Sequence, residues 1–342
     1  MARSKPTAEE WRELYQAAER LREAAPWEWM AEADVFGVQN PETQQLGFVS
    51  ISGALGQHYA ASVYLGVEGL SRFWKLEDGP DGCSPEELLN VPQLHASFED
   101  RDQLSKEDRD VIKELGLKFR GRNAWPLFRS YRPGYCPWFL EPAEVRFLTH
   151  AVQQAVDVAL RFREDAAILA APNEDRYLVR VPRHENGAWV WEDQVMDVPS
   201  ATKDIIHIVV DGNLLGAARR WPRSDATIEV DVFLMPGCVG ERGERPFLAY
   251  DLLVVDGATG LILATEMLDP RPGLLAMWGS VPEKLLHLLS TIRVLPGQVR
   301  VSNRLLYTAL RPVADELGFS VSMGATPGAD EARQTMIDLL SR

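Results

Sequence analysis

Apolar residues near the start of the chain recur at Trp11, Leu14, Tyr15, Ala18 and Leu21, one face of a helix. Thr7 with Glu10 reads as a capping box ahead of it, and Pro26 stops it. From Asp34 to Leu70 the pattern changes to short apolar runs, broken by Asn40-Pro41-Glu42-Thr43 and by Gly53, Gly56 and Gly66. That is the pattern of an antiparallel meander joined by turns. Two short helices follow, one opened by Ser84 and Pro85 and one capped by Ser105 and Asp108 and ended by Gly116. A long helix after Glu141 carries its apolar stripe at Phe147, Ala151, Ala155, Val158 and Phe162.

A polar stretch around Pro172 reads as a linker, and a second pattern begins beyond it. Residues 176–182 and 187–193 read as strands that open this second domain. Three stronger strands follow at 227–235, 245–256 and 260–268, the last two joined by the hairpin turn Asp256-Gly257-Ala258-Thr259-Gly260. The chain then alternates helix 280–292, strand 298–302, helix 304–318, strand 319–323 and helix 330–341. Alternation of this kind predicts a sheet whose later strands are parallel, with helices packed on it. The expectation is therefore α+β in two domains: residues 1–165 as an antiparallel sheet with helices, and residues 170–342 as a mixed sheet.

One segment fits neither pattern. Residues 118–142 hold Lys118, Arg120, Arg122, Arg129 and Arg132 with no acid before Glu141, interleaved with Phe119, Trp125, Phe128, Tyr131, Tyr135, Trp138 and Phe139. The whole chain of 342 residues has a formal net charge of −14, so this cluster runs against its surroundings. Pro126, Pro133, Pro137 and Pro142 exclude a long helix or a central strand. Two readings compete. In the first, the aromatics plug the core and the arginines bridge acids such as Glu99, Asp100 and Asp102, so that the segment is a structural clamp. In the second, Arg120, Arg122, Arg129 and Arg132 hold phosphates while Trp125, Tyr131 and Tyr135 offer rings for stacking. Arg120 and Arg122 alternate, which would place them on one face of a short strand. The clamp is the favoured reading, and the discriminating observation is whether carboxylates already occupy the guanidinium groups.

Charge and composition narrow the rest. The acidic balance disfavours nucleic acid as a general partner, and an unknown protein partner is the alternative. No apolar run reaches membrane length, and the amphipathic start has no signal-peptide core, so the reading is cytoplasmic with no membrane association. Cys83, Cys136 and Cys238 are odd in number and far apart, which predicts reduced thiols. The six histidines show no metal-ligand spacing; His207 and His287 stand in apolar company and read as core residues. Phosphate-loop, dinucleotide and nucleophile-elbow motifs are missing, so no cofactor or metal is assigned.

The stretches Gly121–Pro126 and Pro133–Trp138, with the meander before and the long helix after, resemble a family of bacterial proteins of unknown function. The second half is similar to the domain that commonly accompanies it. The second half also resembles, more distantly, the ribonuclease H-like fold of transposases and retroviral-type integrases: three antiparallel strands, then helix, strand, helix, strand, helix. That resemblance implies carboxylates for paired metal ions and points to Asp231 on the first strand, Asp256 in the hairpin and Glu331 on the final helix. It also implies Asp-Asn-Gly after the fourth strand, where this chain has Ser302, Asn303 and Arg304. A hydroxyl cannot replace an anionic metal ligand there, so the expected domain lacks catalytic activity. The leading functional expectation is a non-catalytic interaction or regulatory module. The alternatives are a nucleic-acid-associated protein with a degenerate ribonuclease H-like domain, or a hydrolase with an unrecognised site.

Overall fold

The structure is a computed structural model that describes residues 5–77, 85–170, 175–199, 201 and 205–340. The chain forms two compact units. One comprises Met1–Arg132 and Pro137–Thr202; the other comprises Pro133–Cys136 and Lys203–Arg342.

In the first unit, α1 (Ala8–Ala24) opens with the expected box: the Thr7 hydroxyl accepts from the Glu10 amide, and the Glu10 carboxylate accepts from the Thr7 amide. Then come β1 (Phe36–Gln39), β2 (Leu46–Ser52), β3 (Tyr59–Leu65), α2 (Gly66–Glu77), α3 (Pro85–Leu89), β4 (Gln93–Glu99), α4 (Lys106–Glu114), β5 (Trp125–Tyr131), α5 (Pro142–Glu164), β6 (Arg176–Glu185) and β7 (Ala188–Asp197). They build one seven-stranded sheet in the order β5-β4-β3-β2-β1-β6-β7. Only the β1–β6 pairing is parallel. Strands β6 and β7 were expected in the second domain. They belong instead to the first sheet, because Gly37 and Val38 pair with Val179 and Arg180. Such a long-range parallel pairing leaves no local trace in the sequence.

The core lies between the sheet and the helices α1 and α5. Leu14, Ala18 and Leu21 of α1 and Leu148, Ala151 and Ala155 of α5 are all sealed from solvent. A Cβ on Gly47 would sit 2.8 Å from the Phe147 ring, so close packing of α5 on β2 requires glycine there. The opposite sheet face is covered in part by α2, through Phe48, Tyr64, Leu70 and Phe73.

The second unit contains α6 (Gly212–Ala218), β8 (Thr227–Val239), β9 (Phe247–Asp256), β10 (Ile262–Leu268), α7 (Leu274–Ser290), β11 (Gln298–Val301), α8 (Arg304–Leu317), β12 (Ser320–Met323) and α9 (Pro327–Leu340). Its sheet runs β10-β9-β8-β11-β12. Strands β8, β9 and β10 are antiparallel, and β11 is parallel to both β8 and β12. This is the mixed sheet that the alternating pattern predicts. Helix α7 starts at Leu274, ahead of the expected residue 280, and carries Pro282 inside it. His207 and His287, expected in the core, are both exposed.

The cysteine reading is corrected here. Cys136 and Cys238 form a disulfide with a Cα–Cα distance of 6.2 Å. Sequence spacing could not show it, because Pro133–Cys136 leaves the first unit to join the second. The Cys136 amide donates to the Pro246 carbonyl at 3.0 Å and the Leu248 amide to the Gly134 carbonyl at 2.9 Å, a rung against the start of β9. Cys83 lies outside the described residues.

Candidate functional site

The basic segment is divided by the structure. Its downstream arginines are clamped, though not by the expected acids. Arg129 donates to both Asp108 oxygens at 2.9 and 2.7 Å, donates to the Phe128 carbonyl, and lies over the Phe139 ring at 4.8 Å. Burial of Asp108 opposes its charge, but the Arg129 guanidinium and the Ser105 cap outweigh that and hold its carboxyl below the usual range. Arg132 is 2.8 Å from both Glu141 and Glu144. Tyr131 meets His95 edge-on at 6.0 Å, and burial pushes its phenol up. Tyr135 joins the second unit in an isolated bridge to Phe247. Residues 125–131 are an edge strand rather than a loop, which is where Pro126 is tolerated. Arg120 and Arg122 do not share a strand face: both lie ahead of β5, and Gly121 at φ +104 turns the chain between them. Arg122 points to solvent, 91% exposed and 3.9 Å from Asp100.

Arg120 alone of the four arginines reaches an open cleft without a carboxylate partner. Helix α4 ends in a left-handed Gly116 with the two bonds of a Schellman turn, Gly116 N–H to the Lys113 carbonyl and Leu117 N–H to the Ile112 carbonyl. The chain then runs extended. Alternation buries Phe119, which stacks on Tyr15 at 5.9 Å, and leaves Lys118 and Arg120 exposed on either side. Arg109 and Lys113, four residues apart, share one face of α4. With Arg101 these side chains line a cleft of about 530 Å³. Phe119 and Trp125 give it aromatic surface, and the Arg101 guanidinium lies 5.8 Å from the Trp125 ring. Asp110 is its one acidic lining residue. Among the described residues none of the five cations has an ion-pair partner. Sequence reasoning found Arg120 and Trp125, named Lys118 only as part of the basic segment, and missed Arg101, Arg109 and Lys113. The available signal was Arg109 with Lys113, like charges at a spacing that costs a helix a few tenths of a kcal/mol, roughly 0.2–0.5.

A second constellation looks catalytic. Ser62 Oγ is 2.9 Å from His95 Nδ1, His95 Nε2 is 3.2 Å from His58 Nε2, and His58 Nδ1 is 3.6 Å from Glu99. The Glu99 carboxylate only accepts, so it favours a proton on His58 Nδ1. His58 Nε2 then accepts from His95, and His95 Nδ1 accepts from the Ser62 hydroxyl. Burial, and secondarily His58, depress the His95 pKa to about 3. Ser62 is 3% exposed in mid-strand and lines neither cleft described for this unit, so the arrangement orders side chains and offers no nucleophile to a substrate. The His95 ring resonances should stay unchanged from pH 8 to pH 5 in a proton–carbon NMR titration; a midpoint near 6.5 would refute this placement. Because the folded value lies below the unfolded one, the stability tied to neutral His95 is complete above about pH 6.5 and is lost as pH falls toward 3.

The acids singled out in the second unit are not gathered. Asp231 is buried on β8 with Arg333 at 2.8 Å. Burial pushes its carboxyl up, against the opposing effect of Arg333. Asp256 caps its own turn, accepting from the Thr259 amide and hydroxyl at 2.7 Å each. Glu331 is exposed. Two further acids unnoticed in the sequence are buried on the same strand pair: Glu229, which accepts from the Ala329 amide at 2.9 Å and lies 3.6 Å from Arg300, and Asp251, bonded to the Thr265 hydroxyl. Among the described residues no three His, Cys, Asp or Glu side chains come together as a metal site. No helix among the described residues is long and apolar enough to cross a membrane.

Residues 11–180 match a family profile described as a domain of unknown function (DUF7309), and residues 215–337 match a second, also described as a domain of unknown function (DUF6930). No curated protein matches the chain.

Proposed function

We propose that the protein is a non-catalytic binding module whose ligand is single-stranded nucleic acid, held by the cleft between α4 and Trp125. The observation that carries the reading is five cations around an aromatic surface, none with an ion-pair partner among the described residues, in a chain of net charge −14. Cations in a protein that could have neutralised them many times over are supported by a ligand that supplies the negative charge. Lys118, Arg120, Arg109 and Lys113 suit successive phosphates, and Trp125 with Arg101 gives a base a planar surface to stack on. The local patch thus outweighs the overall acidity that disfavoured nucleic acid.

The second unit supports a scaffold role. Its strand order and directions resemble a ribonuclease H-like sheet, and in that fold paired metal ions would sit among carboxylates on the first strand. The residues do not fit such ions. Arg333 already neutralises Asp231, the Ala329 amide and Arg300 face Glu229, and residue 302 is serine. No nuclease step is assigned to it.

Fluorescence polarisation with a labelled oligothymidine tests the proposal. Affinity should fall with added salt, with a log–log slope of about −3 if four or so phosphates are engaged. No binding at low salt, or binding indifferent to salt, would overturn it.

A further inference from the structure

A second cleft lies on the other side of α4, and its chemistry is the reverse of the first. It encloses about 300 Å³. Its walls are aromatic: Trp11 and Tyr15 of α1, Phe128 of β5, and Phe139. The Tyr15 and Phe128 rings meet edge-on at 5.1 Å, and Trp11 lies 6.2 and 6.1 Å from them. Four acids of α4 face it, Glu107, Asp108, Asp110 and Glu114, against one cation, Lys5. Asp108 is taken by Arg129, but Asp110 and Glu114 have no ion-pair partner among the described residues.

The acids alone would mean only a solvated helix face. Tyr15 changes that. The residue is 2% exposed, yet its hydroxyl makes no hydrogen bond among the described residues, and it lines the cleft within electrostatic reach of Asp108 and Arg129. Among the described residues this hydroxyl is not one of the polar atoms sealed from solvent, so it is reached from the cleft and is open to a ligand there. Its oxygen can accept from an N–H, the neighbouring carboxylates attract a positive charge, and the rings take both a cation over their faces and methylene groups along them. A ligand with an apolar chain and an acid, or with phosphate, meets the wrong charge here.

We infer that this cleft binds an alkylammonium ligand: a protonated primary or secondary amine on a methylene chain, its N–H groups bonded to the Tyr15 hydroxyl and balanced by Asp110 and Glu114, its chain along Trp11 and Phe128. Asp110 lines both clefts, but Tyr15 and Glu114 line this one alone, so changes at those two positions test amine binding apart from nucleic-acid binding.

The test is calorimetric titration of the full chain with spermidine and with n-hexylammonium, using 1-hexanol as the uncharged control, in physiological salt and without nucleic acid. Saturable binding of both amines and none of the alcohol is expected. Tyr15→Phe removes only the hydroxyl and should weaken amine binding about tenfold; Glu114→Gln, at an exposed position, should weaken it several-fold. Circular dichroism of both variants should match the parent. The inference is overturned if neither amine binds at millimolar concentration, if the alcohol binds equally well, or if Tyr15→Phe binds as the parent does.

Discussion

Replacing Arg333 with methionine should destabilise the β8–β9 core of the second unit by about 3 kcal/mol at neutral pH. The Asp231 side chain is 4% exposed, and Arg333 is the cation bonded to it, at 2.8 Å; among the described residues its only other hydrogen bond is from the neighbouring Val232 amide at 2.9 Å. Methionine keeps most of the arginine stem, so the loss is chiefly one of charge compensation. An unpaired buried carboxylate is among the more costly single defects in a fold, although protonation limits the cost. That limit gives the prediction its pH signature. Burial raises the folded pKa of Asp231 above its unfolded value, so the stability gained by the neutral form is full below the unfolded value near 3.8 and is lost as pH rises through the folded one. The penalty in Arg333→Met should therefore shrink as pH falls from 8 toward 4. Adding Asp231→Asn should recover more than half of it. Hydrogen exchange of the β8 and β9 amides measures this locally, without requiring the two units to unfold together. A variant whose β8 protection matches the parent at pH 7 would show that the pair contributes nothing.

The second large effect concerns the basic cleft. Arg109→Glu, Lys113→Glu and Arg120→Glu should each weaken oligothymidine binding about five- to tenfold and make the salt slope shallower by about 0.7, one phosphate contact each. The triple variant should lose measurable binding. Arg122→Glu is the control, because that side chain points to solvent outside the cleft and should change affinity less than twofold. Equal losses at Arg122 and Arg120 would mean diffuse attraction rather than a site. All four positions except Arg109 are exposed, so reversal should leave the fold intact.

These expectations also mark how far residue patterns reach. The Thr7–Glu10 and Ser105–Asp108 boxes were legible because a cap is closed by residues three apart. The antiparallel hairpins were legible for the same reason. The pairing of β1 with β6 was not, since about 140 residues separate them. Within residues 118–142, the prolines and aromatics pointed correctly to a clamp for Arg129 and Arg132, but Asp108, Glu141 and Glu144 do the clamping, not Glu99 or Asp102. The cleft is not legible in residues 118–142 alone, because half of it comes from α4. The charge asymmetry of that helix, acids toward Trp11 and bases toward Trp125, requires both the helical period and the neighbours to be known.

The disulfide between Cys136 and Cys238 gives the chain an unusual response to cutting. A protease nick anywhere between residues 199 and 211 would leave Cys136 on the upstream piece and Cys238 on the downstream one, 102 residues apart in the intact sequence. The two pieces would then migrate together until a reductant was added. The downstream piece, prepared by itself, would lack both that bond and the short rung from Gly134 and Cys136 along the start of β9. The boundary between the two halves is therefore not a place where this protein can be divided into self-sufficient parts.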